Sequence, residues 1–253
     1  MSVPPIAQLR APAAWGAVDV LSDLHLHVSE PGTFDAWRRY LRGTPADAVF
    51  ILGDLFEVWV GDDAAAQPGF AADCAAVIKE TARQRAIFFM HGNRDFLVGR
   101  GFLQSCGGEL LSDPTVLEFA GRRWLLTHGD ALCLADTEYM RFRGEVRAPA
   151  WQQDFLSKPL AERQQIARKL REQSEARKRS GVDYPDVDSA AAVAWLEAAD
   201  AQVLIHGHTH RPADHELGSR RRIVLSDWDA ASTPPRLEIL RLTAGGAQRV
   251  ALP

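Results

Sequence analysis

Thiols are scarce and scattered in this sequence. Cys74, Cys106 and Cys133 are its only cysteines, an odd number with no CxxC pair. That argues against a disulfide framework or a thiolate zinc site and points to a reducing compartment. Long apolar runs are missing too. No stretch reaches the roughly 18 apolar residues of a membrane span. Met1 to Gly16 is rich in Ala and Pro without an apolar run of signal length, so a secretory signal is not expected. Neither charge sign dominates: the net charge of −4 gives no global reason to look for nucleic acid or an anionic membrane. No internal repeat is visible. What remains is an ordinary globular composition, 46% hydrophobic and 25% charged over 253 residues, enough for one large domain or one domain carrying an insertion.

Short apolar runs recur along the chain, and each ends in a polar cluster. Ala17–Leu21 runs into Ser22-Asp23-Leu24-His25, Ala48–Leu52 into Gly53-Asp54, and Ala86–Met90 into His91-Gly92-Asn93-Arg94-Asp95. Trp124–Thr127 runs into His128-Gly129-Asp130, and Val203–Ile205 into His206-Gly207-His208-Thr209-His210. Runs of this length, rich in β-branched and aromatic residues, read as buried strands. Helix-like segments, clearest at Phe34–Leu41 and Phe70–Arg85, lie between several of them. Alternating strands and helices predict an α/β fold with buried sheets, in which ligands bind beyond the carboxyl ends of strands. All five polar clusters lie there. Ile223–Ser226 and Leu237–Leu242 read as strands completing a sheet, while the stretch from Asp136 to about Leu196 reads as helical, with Ser157 capping a helix from Pro159 and Gly181 stopping it.

Each cluster alone is weak. Asp23-x-His25 at a strand end puts a carboxylate and an imidazole on one face, because the strand period is two, but such pairs are common by chance. Gly53-Asp54 reads equally well as a turn. Asn93 can ligate a metal without adding charge and Arg94 can hold a phosphate through paired hydrogen bonds, yet Arg94 and Asp95 can also pair on a surface. His128 alone fits a satisfied, partly buried imidazole. The 206–210 run is the strongest local signal: alternating histidines place several imidazoles on one side, as in extended backbone, with Gly207 removing bulk between two of them, and favour metal binding over a solvated cluster. Together, Asp23, His25, Asp54, Asn93, His128, His206 and His208 offer seven N and O ligands and no thiolate. That set can hold two divalent ions, an arrangement able to activate water and clamp both oxygens of an in-line displacement at phosphorus.

The order Asp-x-His, Gly-Asp, Gly-Asn-Arg-Asp, His, Gly-His-x-His resembles the calcineurin-like metallophosphoesterase superfamily. The resemblance implies a four-layer αββα sandwich over residues 1–253, with a helical cap inserted at about 136–196. It implies one metal held by Asp23, His25, Asp54 and His208 and a second by Asp54, Asn93, His128 and His206, with Asp54 bridging. Asn93 and Arg94 would be catalytic, Arg94 offsetting charge on the phosphate oxygens, and His210 and Asp95 would stand outside the ligand set. The stretches Gly53–Asp63, Asn93–Gly99, His128–Cys133 and His206–Pro212 resemble one branch of that superfamily, the UDP-2,3-diacylglucosamine pyrophosphatases of lipid A synthesis, from Val18 to about Trp228. This implies cleavage to UMP and 2,3-diacylglucosamine 1-phosphate with Mn²⁺, on the cytoplasmic face of the inner membrane, by a peripheral monomer with no nucleic-acid partner. Substrate contacts carried over are Asn93, Arg94, Asp136, Tyr139, Ser174 and His206. After Ser174 the pattern departs from the family's, and Lys178 is the residue chosen there.

The helical insert suits a lipid substrate independently. Phe142, Trp151, Phe155, Leu156, Leu160, Ile166 and Leu170 supply apolar surface, and basic residues outnumber acidic ones from Arg141 to Arg179. A basic amphipathic cap can rest on an anionic bilayer and shelter acyl chains, although a solvated helical hairpin packed on its own apolar stripe explains the same pattern. Three other readings stay open: a soluble phosphodiesterase or nucleotide phosphatase on the same scaffold, a metal-poor protein-binding scaffold, and a structural-metal protein. A full ligand set opposes the second, and a structural site is usually closed and single.

Overall fold

The structure, a computed structural model, describes residues 3–179 and 185–253, with side chains described for all of these except 173–179. Two six-stranded sheets face each other. One is built in the order β12-β11-β2-β3-β4-β5, from Gly246–Ala251, Glu238–Thr243, Ala17–Leu21, Ala48–Leu52, Ala86–Met90 and Gly108–Leu111. The other runs β1-β6-β7-β8-β10-β9, from Ala7–Arg10, Thr115–Phe119, Arg122–Leu126, Val203–His206, Arg220–Val224 and Ala213–Leu217. The central strands β2, β3 and β4 are parallel, as are β7, β8 and β10.

Period-two alternation divides each central strand between two cores. On β3, Ala48, Phe50 and Leu52 face the opposite sheet, where they meet Leu117, Trp124, Leu126 and Ile205. Val49 and Ile51 face the other way, onto the helices α1 (Pro31–Gly43), α2 (Phe70–Thr81) and α3 (Arg100–Ser105). Those helices contribute Trp37, Leu41, Val77, Ile78 and Phe102, and the spacing of Thr33, Trp37, Tyr40 and Leu41 gives α1 one buried face. On the second sheet, Leu125 and Leu204 point away from the inter-sheet core onto α7 (Ser189–Ala198), through Ala192, Trp195 and Leu196. Helix, sheet, sheet, helix is the order of the layers. All three cysteines are buried thiols without disulfides, and burial pushes the Cys133 thiol up to about 12.

The helical stretch from Asp136 to Leu196 divides in two. Helices α4 (Thr137–Val146), α5 (Pro149–Ser157) and α6 (Leu160–Arg179) stand over the strand ends, with Trp151, Phe155 and Ile166 packed on the core beneath. Helix α7, in contrast, is a wall of the sandwich, because its apolar face closes the second sheet. Ser157 does not cap α6. It is the last residue of α5, where its hydroxyl donates to the Asp154 carbonyl, and the Pro159 carbonyl accepts from the Glu162 and Arg163 N–H groups at the start of α6. Ser174 and Lys178 have their side chains outside the described residues, and Gly181 lies wholly outside them.

One buried charge locks β2 in place. Asp19, fully buried, accepts from Arg241 Nε and Nη2 at 2.7 and 2.8 Å and from the Tyr40 hydroxyl at 2.9 Å. Arg241 sits opposite it on β11. Removing the cation strands a buried carboxylate, though Tyr40 and Thr44 still donate to it. Arg241→Met is expected to lower the unfolding free energy by about 2–3 kcal/mol, measured by chemical denaturation. An unchanged midpoint would show that the pair contributes nothing.

Candidate metal centre

The polar clusters meet where the parallel strands of both sheets end. Asp23 and His25 do not owe their proximity to strand alternation: β2 stops at Leu21, and both residues lie beyond it with left-handed backbone, φ 55° and 48°. Asp54, His208 and His210 are also left-handed, at 52°, 66° and 51°. Five of the seven positive-φ residues other than glycine among those described therefore surround one spot. Such conformations are uncommon, least so for Asp, Asn and His, and collect where the surroundings over-determine them.

Asp54 stands between two histidines. Its Oδ2 is 3.8 Å from His25 Nε2 and its Oδ1 is 3.8 Å from His128 Nε2, as a bridging carboxylate requires. Asp23, Asp54 and His128 present ligand atoms within 4.8 Å of one another, and so do Asp23, His25 and His210. Asn93 Oδ1 lies 3.0 Å from His128 Nε2 and 2.7 Å from His208 Nδ1. The three histidines of the 206–210 run thus do not share one side. His208 turns toward Asn93 and His128, whereas His210 joins the Asp23–His25 side, 3.3 Å from Asp23 Oδ1 and 3.2 Å from His25 Nε2. His206, the last residue of β8, lies against Gly129, and its Nδ1 donates to the Gly207 carbonyl.

The donor set fits metal ions. His206 Nε2 is buried without a partner, an arrangement that costs free energy unless a cation completes it. His128 Nδ1 is 2.8 Å from the Leu52 carbonyl, which leaves Nε2, facing Asn93 and Asp54, as a candidate ligand atom. Burial, and then the neighbouring His128, lower His208 to about 4, and burial lowers His206 to about 4, so both imidazoles are neutral at pH 7. Burial opposes the charge of Asp23, yet the His210, His128 and His25 imidazoles hold its carboxyl far below the usual range. Asp23, Asp54, Asp95 and Asp130 are all buried within this small region. Such a concentration of negative charge attracts divalent cations.

Two glycines permit the close approach. Gly53 has φ 87° and packs on Gly92 and His128, which lets the chain turn sharply after β3. Gly207 makes room for Asp23 and Ser22 and not, as its place in the sequence suggested, for its flanking histidines.

The sequence profile of the calcineurin-like phosphoesterase family matches residues 17–212. The chain belongs to that family. Three relatives, each named UDP-2,3-diacylglucosamine hydrolase, come from Chromobacterium violaceum, Marinobacter nauticus and Ralstonia nicotianae. The first is 47% identical over 221 residues, covering 84% of this chain and 90% of its own. The second is 45% identical over 217 residues, covering 83% and 88%. The third is 43% identical over 256 residues, covering 96% and 95%. Calcineurin-like phosphoesterases use a pair of metal ions, and this chain brings together two groups of candidate ligands that share Asp23.

Around this phosphoesterase centre stand residues whose roles the sequence did not disclose. Asp95 faces no substrate: it is fully buried and accepts from the backbone of Asp54, Phe56 and Gly92, tying the loops after β3 and β4 together. Burial and the Asp54 charge raise it to about 7. Asp130 accepts from the Tyr139 hydroxyl at 2.6 Å and Arg143 Nε at 2.8 Å, joining the cap to the His128 loop. Arg147 adds a bond of 2.9 Å to the Gly92 carbonyl. Asp136 caps α4 by accepting from Tyr139 N. Glu57 lies 2.9 Å from His25 Nδ1. Arg94 sits in the wall of the site, with its backbone N–H donating to Asp54 Oδ1 at 2.8 Å.

An ideal Cβ on Gly207 would fall 2.1 Å from Asp23 Oδ2. Gly207→Ala is therefore expected to cost about 1–3 kcal/mol of stability through overpacking. Gly101→Ala, where nothing lies within 4 Å, should not lower stability. Equal denaturation midpoints for the two variants would contradict this account of the packing around Asp23.

Proposed function

We propose that this chain hydrolyses the pyrophosphate bond of UDP-2,3-diacylglucosamine, giving UMP and 2,3-diacylglucosamine 1-phosphate. One observation carries the reading: a single cavity of about 720 Å³ joins the metal centre to an apolar chamber beneath the cap. His25, Asp54, Asn93 and Arg94 line its polar end, and Trp59, Phe96, Phe142, Trp151, Phe155 and Leu170 line the other. A substrate with a charged diphosphate at one end and acyl chains at the other matches that division. The names of the three relatives agree with it. A soluble nucleotide phosphatase would have no use for the apolar half.

Asp23, His25, Asp54, Asn93, His128, His206 and His208 are the proposed ligands of two divalent ions, taken to be Mn²⁺, with His210 close enough to Asp23 to contribute. When bound, such a pair supplies activated water and a Lewis-acid clamp on the phosphate oxygens. The chain's own residues do the rest. Arg94 and Asn93 face the diphosphate and offset the charge that builds on its oxygens. Tyr139, half-buried against His208 and hydrogen-bonded to Asp130, and Asp136 close the cap side of the cavity. Ser174 and Lys178 are retained as substrate contacts on the family resemblance. The oxygen of water ends on one product phosphate, and the bridging oxygen leaves with the other.

No helix among the described residues is long and apolar enough to cross a membrane. Peripheral attachment at the cytoplasmic face of the inner membrane is proposed from the lipid substrate and from Val58, Phe142, Leu156 and Leu170, apolar side chains exposed on and beside the cap. The protein would act there as a monomer without nucleic acid. Of the cap's cations, Arg143, Arg147, Arg163 and Arg171 turn inward to acidic partners, so the cap offers less charge to a bilayer than its composition suggests.

The deciding assay is UMP release from UDP-2,3-diacylglucosamine, with Mn²⁺ and with chelator. Activity should require the metal. Arg94→Ala should reduce kcat by about 10²–10³-fold, and His25→Ala should lower it at least as far at limiting Mn²⁺. No UMP from the intact protein, together with rapid cleavage of soluble nucleotides, would replace this reading with the phosphatase one.

A further inference from the structure

We propose that Glu57 is a positioning residue that divides its two carboxylate oxygens between the metal centre and the cap, so that seating the cap and orienting His25 depend on one side chain. Glu57 follows β3 in the loop that opens with Asp54, and it is 8% exposed. Its Oε2 lies 2.9 Å from His25 Nδ1. Its Oε1 lies 3.0 Å from Arg171 Nε, on cap helix α6, and 3.8 Å from Arg94 Nη1. Its own N–H donates to the Leu26 carbonyl at 3.2 Å, next to His25. Three groups that belong to metal binding, phosphate binding and the cap therefore converge on one carboxylate.

The chemistry of each contact is specific. A carboxylate beside Nδ1 favours the tautomer whose Nε2 is free for a metal and makes that nitrogen a better donor; Glu57 Oε2 approaches His25 Nδ1 to 2.9 Å without hydrogen-bond alignment, so its hold on the ring is a charge contact. His25 Nε2 is the atom that points at Asp23 and Asp54. The second oxygen is then available to Arg171 alone among the cap's described side chains, and both partners line the same cavity. The inference rests on His25 being a metal ligand.

The test compares the intact protein with Glu57→Gln, Glu57→Ala and Arg171→Met by two readouts: Mn²⁺ affinity, from titration of free Mn²⁺ by electron paramagnetic resonance, and the rate at which trypsin cuts the cap. Glu57→Ala should weaken Mn²⁺ binding by about 10–100-fold and also speed tryptic cutting. Arg171→Met should speed cutting while leaving Mn²⁺ affinity within about twofold. Glu57→Gln is decisive should the alanine variant not fold. Its one acceptor oxygen can serve His25, but its amide opposes Arg171, so it should retain most of the metal affinity and lose the cap. Wild-type behaviour of Glu57→Gln in both readouts would overturn the proposal, as would Arg171→Met losing metal affinity with Glu57→Ala unaffected. Failure of the intact protein to bind Mn²⁺ at all would instead overturn the reading of the site, and this inference with it.

Discussion

The molecule is organised around one electrostatic constraint: several carboxylates are buried side by side. Asp23, Asp54, Asp95 and Asp130 are buried around the same loops. Like charges at this range repel, and desolvation opposes each. The structure meets the cost in distinct ways. Asp130 is balanced by Arg143 and Arg147 from the cap. Asp95 accepts backbone N–H groups and is raised toward neutrality. Asp23 and Asp54 face the imidazoles, and the proposed pair of divalent ions would supply the remaining compensation.

The same constraint explains the backbone. Left-handed residues cluster at Asp23, His25, Asp54, His208 and His210, where side chains from loops of the two sheets converge beyond the strand ends. The packing beneath offsets that strain. Each central strand is buried on both faces, and Asp19 with Arg241 pins β2 from behind. The cap is held differently. Besides Phe155 and Trp151, ionic contacts fasten it: Arg163 to Asp63, Arg171 to Glu57, and Arg143 and Arg147 to Asp130. Each of those acids sits on a loop that follows a strand of the sandwich, so cap and centre share their supports.

Much of this was legible in the sequence, for a physical reason. Doubly buried strands are almost wholly apolar, with Asp19 on β2 the exception among these three, so Ala17–Leu21, Ala48–Leu52 and Ala86–Met90 were read with their observed bounds. The polar clusters ending them marked the site. Edge strands are half exposed and carry no such run, and Ala7–Arg10, Ala213–Leu217 and Gly246–Ala251 were missed accordingly. Helix α7 was assigned to the cap because a helical stretch in sequence does not announce which surface it covers. Glu57 and Asp130 were passed over because a carboxylate beside a motif looks like any solvated acid until its partners, over a hundred residues away for Arg171, are placed next to it. The separate directions of His208 and His210 were hidden by the assumption of extended backbone, which their positive φ values break.

The central claim is that Asp54 lies between two metal ions. Anomalous diffraction from crystals grown with Mn²⁺, recorded at the manganese edge, tests it most directly. The account predicts two peaks per chain about 3.5–4 Å apart, one beside Asp23 and His25 and the other beside Asn93 and His128, with an Asp54 oxygen touching each. A single peak, or two peaks neither of which contacts Asp54, would contradict it.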